Sequence, residues 1–161
     1  MSEQTTAPIM RTITVRCSAE RAFRVFTEEM TAWWPLDTHS RALDREGEGV
    51  KAETIVFEGH EGGRVYEVMS DGSEGDWATV LAWEPPHRLV LAWKPNDRPA
   101  EQHTEIEVRF SPDGDGTRVD LEHLGWERLG PDAEEAREGY ANGWPRVFDQ
   151  LYAAAANGAA D

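Results

Sequence analysis

"PDAEEAREGYANGWPRVFDQLY", from Pro131 to Tyr152, is the stretch that decides the fold. Its apolar residues Ala136, Tyr140, Trp144, Val147, Phe148, Leu151 and Tyr152 fall on one broad face at helical spacing. Pro131 and Asp132 open the segment, with Asp132 expected as N-cap and Glu135 three residues on. Pro145 has no N–H to donate, and its ring opposes the carbonyl of Ala141. A plain break between two helices is one reading of that proline. A kinked but continuous helix is preferred, because Tyr140, Trp144 and Phe148 keep their i, i+4 spacing straight through it. Gly139 and Gly143 lie on one face of the segment, and glycines there cost roughly 1 kcal/mol each relative to alanine. Their missing side chains are expected to leave room beside the surface that the helix covers.

That surface is a sheet. "IMRTITVR" (Ile9 to Arg16) places Ile13 and Val15 on one parity and threonines on the other, the period of a strand. Six further strands are expected near Glu53–Glu58, Arg64–Met69, Asp76–Glu84, Arg88–Trp93, Thr104–Phe110 and Thr117–His123. The separators "GHEGG", "SDGSEG", "EPPH", "KPNDRPAEQ" and "SPDGDG" are turn sequences. Short separators between consecutive strands imply antiparallel pairing. Between the first two strands, Ser18 caps a helix running from Ala19 to about Met30, and Pro35 ends the helical region. Arg41 to Gly49 is charged and glycine-containing, the least ordered internal stretch. An α+β fold results, with seven antiparallel strands covered by the one element long enough to do so. A single helix across a curved sheet leaves a gap unless side chains fill it, and ligand pockets form in such gaps.

Composition narrows the function classes. The 161 residues fit one domain (1–161, with its core about 9–152). A net charge of −15 disfavours phosphate backbones and anionic membranes, so neither nucleic acid nor membrane is an expected partner. One cysteine, Cys17, gives no disulfide framework, and "MSEQTTAP" is no signal peptide, so a cytoplasmic location is expected. The histidines at 39, 60, 87, 103 and 123 show no HxH or HxxxH spacing, and no P-loop or dinucleotide fingerprint is present. No metal, cofactor or catalytic residue is therefore assigned.

The aromatic residues supply the site candidates. Trp33 and Trp34 stand at a helix end before Pro35, with His39 and Ser40 close behind. They either pack simply or plug one end of the gap, one ring toward the core and the other toward its mouth or the surface. Trp77, Thr79, Leu81 and Trp83 share one strand face, with Ala78, Val80 and Ala82 on the other, so that strand is apolar on both sides. Trp93 shares parity with Leu89 and Leu91. Apolar residues on a face without a helix suggest a homodimer contact. His123 shares parity with Val119 and Leu121, which makes it either a hydrogen-bonded core histidine or a polar anchor in an apolar pocket. Tyr140, Trp144 and Phe148 would line the gap from the helix side.

Four stretches together resemble a known superfamily: "CSAERAFRVFTEEMTAWWPLDTHS", "EGDWATVLAWEPPHRLVLAW", "TEIEVRFSPDGDGTRVDLEHLGWE" and "GYANGWPRVFDQL". They are similar to the SRPBCC proteins (START and Bet v 1-like), in the bacterial branch named after the activator of the heat-shock-protein-90 ATPase. The resemblance covers Ile9 to Tyr152 in order. It implies a helix-grip fold with an internal cavity for apolar ligands, and it does not imply a reaction. The expected function is binding of a small apolar or amphipathic molecule, with candidate contacts Trp33, Trp34, His39, Trp77, His123, Tyr140, Trp144 and Phe148. An enzyme acting on a hydrophobic substrate in the same cavity is the alternative, and a chaperone or regulator interaction module is a third.

Overall fold

The computed structural model describes residues 6–36, 39, 47–93 and 103–158. Ser40, residues 41–46 of the charged stretch and the separator "KPNDRPAEQ" lie outside the described residues. The strands are β1 (Ile9–Val15), β2 (Ala52–Phe57), β3 (Arg64–Met69), β4 (Glu74–Glu84), β5 (Arg88–Trp93), β6 (Thr104–Asp113) and β7 (Gly116–Leu124). They form one antiparallel sheet in the order β1-β7-β6-β5-β4-β3-β2. Strands β2 to β7 pair consecutively as a meander, and β1 closes onto β7 with Ile9 opposite His123 and Val15 opposite Thr117.

The inner face carries Val65, Leu89, Leu91, Ile106, Val108 and Leu121, all fully or nearly fully buried. The C-terminal helix lies against it, beginning with a 3-10 segment (Trp126–Asp132) and continuing as α3 (Ala133–Trp144), a π-helical stretch (Pro145–Tyr152) and α4 (Ala153–Gly158). Polar ties along its C-terminal half help fix its position. Arg11 of β1 pairs with Asp149, Asn157 Oδ1 accepts the Arg16 N–H at 2.8 Å, and the Tyr152 hydroxyl donates to the Ala22 carbonyl at 2.7 Å. This is the helix-grip arrangement, with the burial of one sheet face and one helix face as its main stabilisation.

The outer face is laced with ion pairs. Arg88 meets Glu84 and Glu107, Arg64 meets Glu74 and Asp76, and Arg118 meets Asp120. Such pairs add little stability singly, but they keep the uncovered face polar. Among the described residues, the large exposed apolar side chains are Met10, 71% exposed, and Leu81, 43% exposed. No helix among the described residues is long and apolar enough to cross a membrane.

Several local expectations are corrected. The first helix is two pieces, not one run to Met30: α1 (Ala19–Thr27) and α2 (Met30–Trp33). Thr27 Oγ1 donates back to the Phe23 carbonyl at 2.9 Å, a side-chain competitor for helical bonding, and Glu29 leaves helical geometry. Ser18 does cap α1, accepting the Arg21 N–H at 3.1 Å. Asp132 makes no side-chain capping bond, because the chain reaches α3 through the 3-10 segment, with Gly130 at a φ of 65°. Strand β4 does not keep its parity. Register shifts at Trp77 and Leu81 make bulges, so Trp77 and Ala78 are buried side by side while Leu81 is exposed.

The helix does run continuously past Pro145, but by widening. The ring displaces the bond to Ala141, and the adjoining π-helical stretch shifts each N–H one carbonyl further back. Gly139 is exposed, and a Cβ built at Gly139 or Gly143 meets nothing within 4 Å. Gly139 therefore faces solvent and leaves no room at the sheet.

Candidate functional site

Pro35 sets up the site. The residue before a proline is driven out of the helical region, and Trp34 is extended at φ −71° and ψ 131°. Trp33, still helical, turns inward, and its N–H donates to the Val25 carbonyl at 2.8 Å. Trp34 swings the other way and stays half-buried. Its ring lies 5.0 Å from Trp77, 5.8 Å from Trp93 and 6.3 Å from Trp144. Four indoles, from a helix end, two strands and the C-terminal helix, thus meet at one place.

Trp77 reaches this cluster because of the β4 bulge, and Trp93 because β5 keeps strict alternation, opposite Ala78. Both are nearly fully buried, as is Trp144. Their N–H groups end on side chains. Trp77 donates to Glu67 Oε1 at 2.8 Å, Trp93 to the Tyr140 hydroxyl at 2.9 Å, and Trp144 to His123 Nδ1 at 3.1 Å. The Trp34 N–H donates to the His39 carbonyl at 2.7 Å, while the exposed His39 ring stands edge-on, 6.5 Å away.

His123 is fully buried on the inner face of β7. An indole N–H can only donate, so Nδ1 accepts from Trp144 and the ring proton is assigned to Nε2. That proton points to Thr104 Oγ1 at 2.7 Å, and the threonine hydroxyl in turn approaches the Trp93 carbonyl at 3.4 Å. Burial lowers the His123 pKa from 6.5 to about 3, so the imidazole is neutral at ordinary pH. With both nitrogens engaged, it cannot exchange a proton without first breaking a bond.

The other candidates occupy a second cluster. Trp33 packs on Phe26 and Tyr152, and Phe148 stacks on Tyr152 at 5.5 Å and 5°. The structure brings together Trp34, Trp77, His123, Tyr140 and Trp144, leaves His39 at the rim, and places Trp33 and Phe148 in the packed region beside α1, with the Trp33 ring 5.9 Å from Trp34.

Four residues of the cluster escaped sequence reasoning as site members: Glu67, Trp93, Thr104 and Trp126, whose ring lies 4.2 Å from His123 and 5.5 Å from Tyr140. Glu67 lies between Val65 and Met69 in strand parity, an acidic residue on a core-facing row, and it is fully buried. That parity was the available signal. Thr104 likewise leads the row Ile106, Val108, Phe110. Among the described residues no group of three metal-ligating side chains occurs. Chemically, the arrangement is an apolar cluster of indoles tilted 46–81° to one another, with the Glu67 carboxylate and the Tyr140 hydroxyl bonded to two of its N–H groups.

A curved antiparallel sheet gripping a C-terminal helix, with an aromatic cluster between them, defines a ligand-binding helix-grip fold of the SRPBCC type. The family profile "Activator of Hsp90 ATPase homolog 1-like protein" matches residues 16–156, and the chain belongs to that family. It is similar to an anthrahydroquino-gamma-pyrone synthase, Txn09, at 31% identity over 96% of this chain and 99% of that one, with a TM-score of 0.63. It is also similar to the self-sacrificing resistance protein CalC from Micromonospora echinospora, at 27% identity over 93% and 94%, with a TM-score of 0.69. The Aha1 dimer from Colwellia psychrerythraea, at 18% identity over 91% and 96%, shares the fold with a TM-score of 0.53. No curated protein matches the sequence.

Proposed function

We propose that the protein binds a planar, mainly apolar small molecule against Trp34, Trp77, Trp93 and Trp144, between the sheet and the C-terminal helix. The observation that carries this reading is the convergence of four indoles on one point, with one ring, Trp34, still half-exposed. Indoles offer the widest flat apolar face of any side chain, and offset stacking on another ring adds roughly 0.5–1.5 kcal/mol beyond area burial. The likeness to Txn09, whose name denotes an anthrahydroquinone-type ring system, supports a fused-ring ligand. The same likeness favours a second reading, an enzyme that acts on such a ligand, with the Tyr140 hydroxyl as its polar contact.

Titration with anthracenylmethanol, a neutral fused-ring alcohol, tests binding through energy transfer from indole to anthracene. Saturable binding is expected, weakened about tenfold by Trp34→Leu. Trp83 is the control, since it is also half-buried but packs on Phe23 and Phe57 in the other cluster. Trp83→Leu should leave the affinity within about twofold. Equal losses in the two variants would remove the indole cluster from the binding site.

A further inference from the structure

The buried polar side chains among the described residues are Thr27, Glu67, Thr104, Thr117 and His123. Thr27 and Thr117 donate to backbone carbonyls, of Phe23 and Cys17, at 2.9 and 2.8 Å. Thr104 and His123 instead bond to each other and to the indole cluster. The Trp144 N–H donates to His123 Nδ1 at 3.1 Å, Nε2–H donates to Thr104 Oγ1 at 2.7 Å, and the Thr104 hydroxyl approaches the Trp93 carbonyl at 3.4 Å. Three bonds thus run from the helix wall of the cluster to its strand wall. Resting on the reading of that cluster as a ligand site, we propose that Thr104 and His123 are positioning residues, which hold the Trp144 and Trp93 rings in the arrangement that receives the ligand.

The direction of the chain is set at its helix end. An indole nitrogen can only donate, so Nδ1 must accept and the imidazole proton must sit on Nε2. Nε2–H then needs an acceptor, which the Thr104 hydroxyl supplies, and that hydroxyl turns its own proton toward Trp93. The sheet register places both partners, with Thr104 opposite Trp93 and His123 opposite Ile106, two residues along β6. Trp126 and Tyr140 pack on the imidazole at 4.2 and 4.9 Å, so the ring has little room to turn. Without the Thr104 hydroxyl, Nε2–H is buried unpaired. Moving the proton to Nδ1 relieves that loss but sets a donor against the Trp144 N–H, and the indole must turn away. Apolar side chains would fill these positions at less risk, because a buried polar chain is favourable only when each member is satisfied.

Two substitutions at Thr104 separate positioning from packing. Thr104→Val keeps the shape and removes the hydroxyl, whereas Thr104→Ser keeps the hydroxyl and removes a methyl group. Titration with anthracenylmethanol should show Thr104→Val binding about tenfold more weakly than wild type, and Thr104→Ser within about twofold. Heteronuclear NMR of the imidazole nitrogens supplies a signature. His123 should be the Nε2–H tautomer in wild type and in Thr104→Ser, and should lose that single form in Thr104→Val. A role in packing alone gives the reverse order, with the serine variant the more impaired. That order, or a Thr104→Val protein that binds like wild type, overturns the positioning role and leaves the ligand site standing. A Thr104→Val chain that fails to fold by circular dichroism overturns it too, by assigning the hydroxyl to folding. So does a wild-type His123 protonated at Nδ1. If the wild type does not bind the probe, the ligand site falls and the positioning role with it.

Discussion

The interior holds two aromatic clusters that differ in where their polar handles end. Beside α1, the Trp33 N–H and the Tyr152 hydroxyl both end on backbone carbonyls, of Val25 and Ala22. Burial drives the Tyr152 pKa upward and keeps that hydroxyl protonated. Between sheet and helix, the N–H groups of Trp34 and Trp126 also end on backbone, at His39 and His123, but those of Trp77, Trp93 and Trp144 end on the side chains of Glu67, Tyr140 and His123. A backbone acceptor is fixed by the fold, so the first cluster is packing with its polar atoms silenced. A side-chain acceptor adds further polar chemistry to the interior, which packing alone does not require. The second cluster is the part of the core that keeps functional groups.

Truncation separates the two clusters most strongly. Phe148 is fully buried and stacked on Tyr152, so Phe148→Ala should cost about 3–5 kcal/mol in urea unfolding. Trp34→Leu, at a half-exposed ring, should cost under about 1.5 kcal/mol and act mainly on probe affinity. Similar stability losses in the two variants would erase the distinction between the packing cluster and the proposed binding cluster.

Acid tests the second cluster from within. His123 is held neutral down to about pH 3 in the folded chain, whereas the unfolded chain protonates it near 6.5. The unfolded state binds the extra proton between those values, so the contribution is complete above pH 6.5 and lost as pH falls through the window. The slope reaches about 1.4 kcal/mol per pH unit. Urea unfolding at pH 7 and at pH 5.5 should show this loss in the wild type. His123→Gln should lower stability at both pH values and flatten the difference. A wild-type slope that persists in His123→Gln would assign the titration to other groups.

The smallest effect concerns the helix that both clusters share. Gly139 is exposed, helical and free of neighbours at its missing Cβ, so Gly139→Ala should raise stability by roughly 0.5–1 kcal/mol. Probe affinity should not change. A loss of binding in this variant would place Gly139 at the ligand after all.

Sequence alone determined the strands, their antiparallel order, the covering helix and its passage through Pro145, because each rests on local rules. Alternation with period two marks a strand, Gly- and Pro-rich separators mark turns, and i, i+4 spacing across a proline marks a helix that continues. The inward parity of His123 was legible for the same reason. Bulges are not local in this sense. An extra residue at Trp77 or Leu81 is set by how β4 matches the twist and length of its neighbours, so the parity read along "GDWATVLAW" failed there. Only the tertiary structure decided that Trp33 donates to Val25 and Trp34 to His39, that Trp93 joins Trp34 and Trp77, and that Glu67 accepts an indole N–H within the core. Those contacts join residues far apart in the chain, and a burial pattern gives a residue's depth without naming the neighbour that shares it.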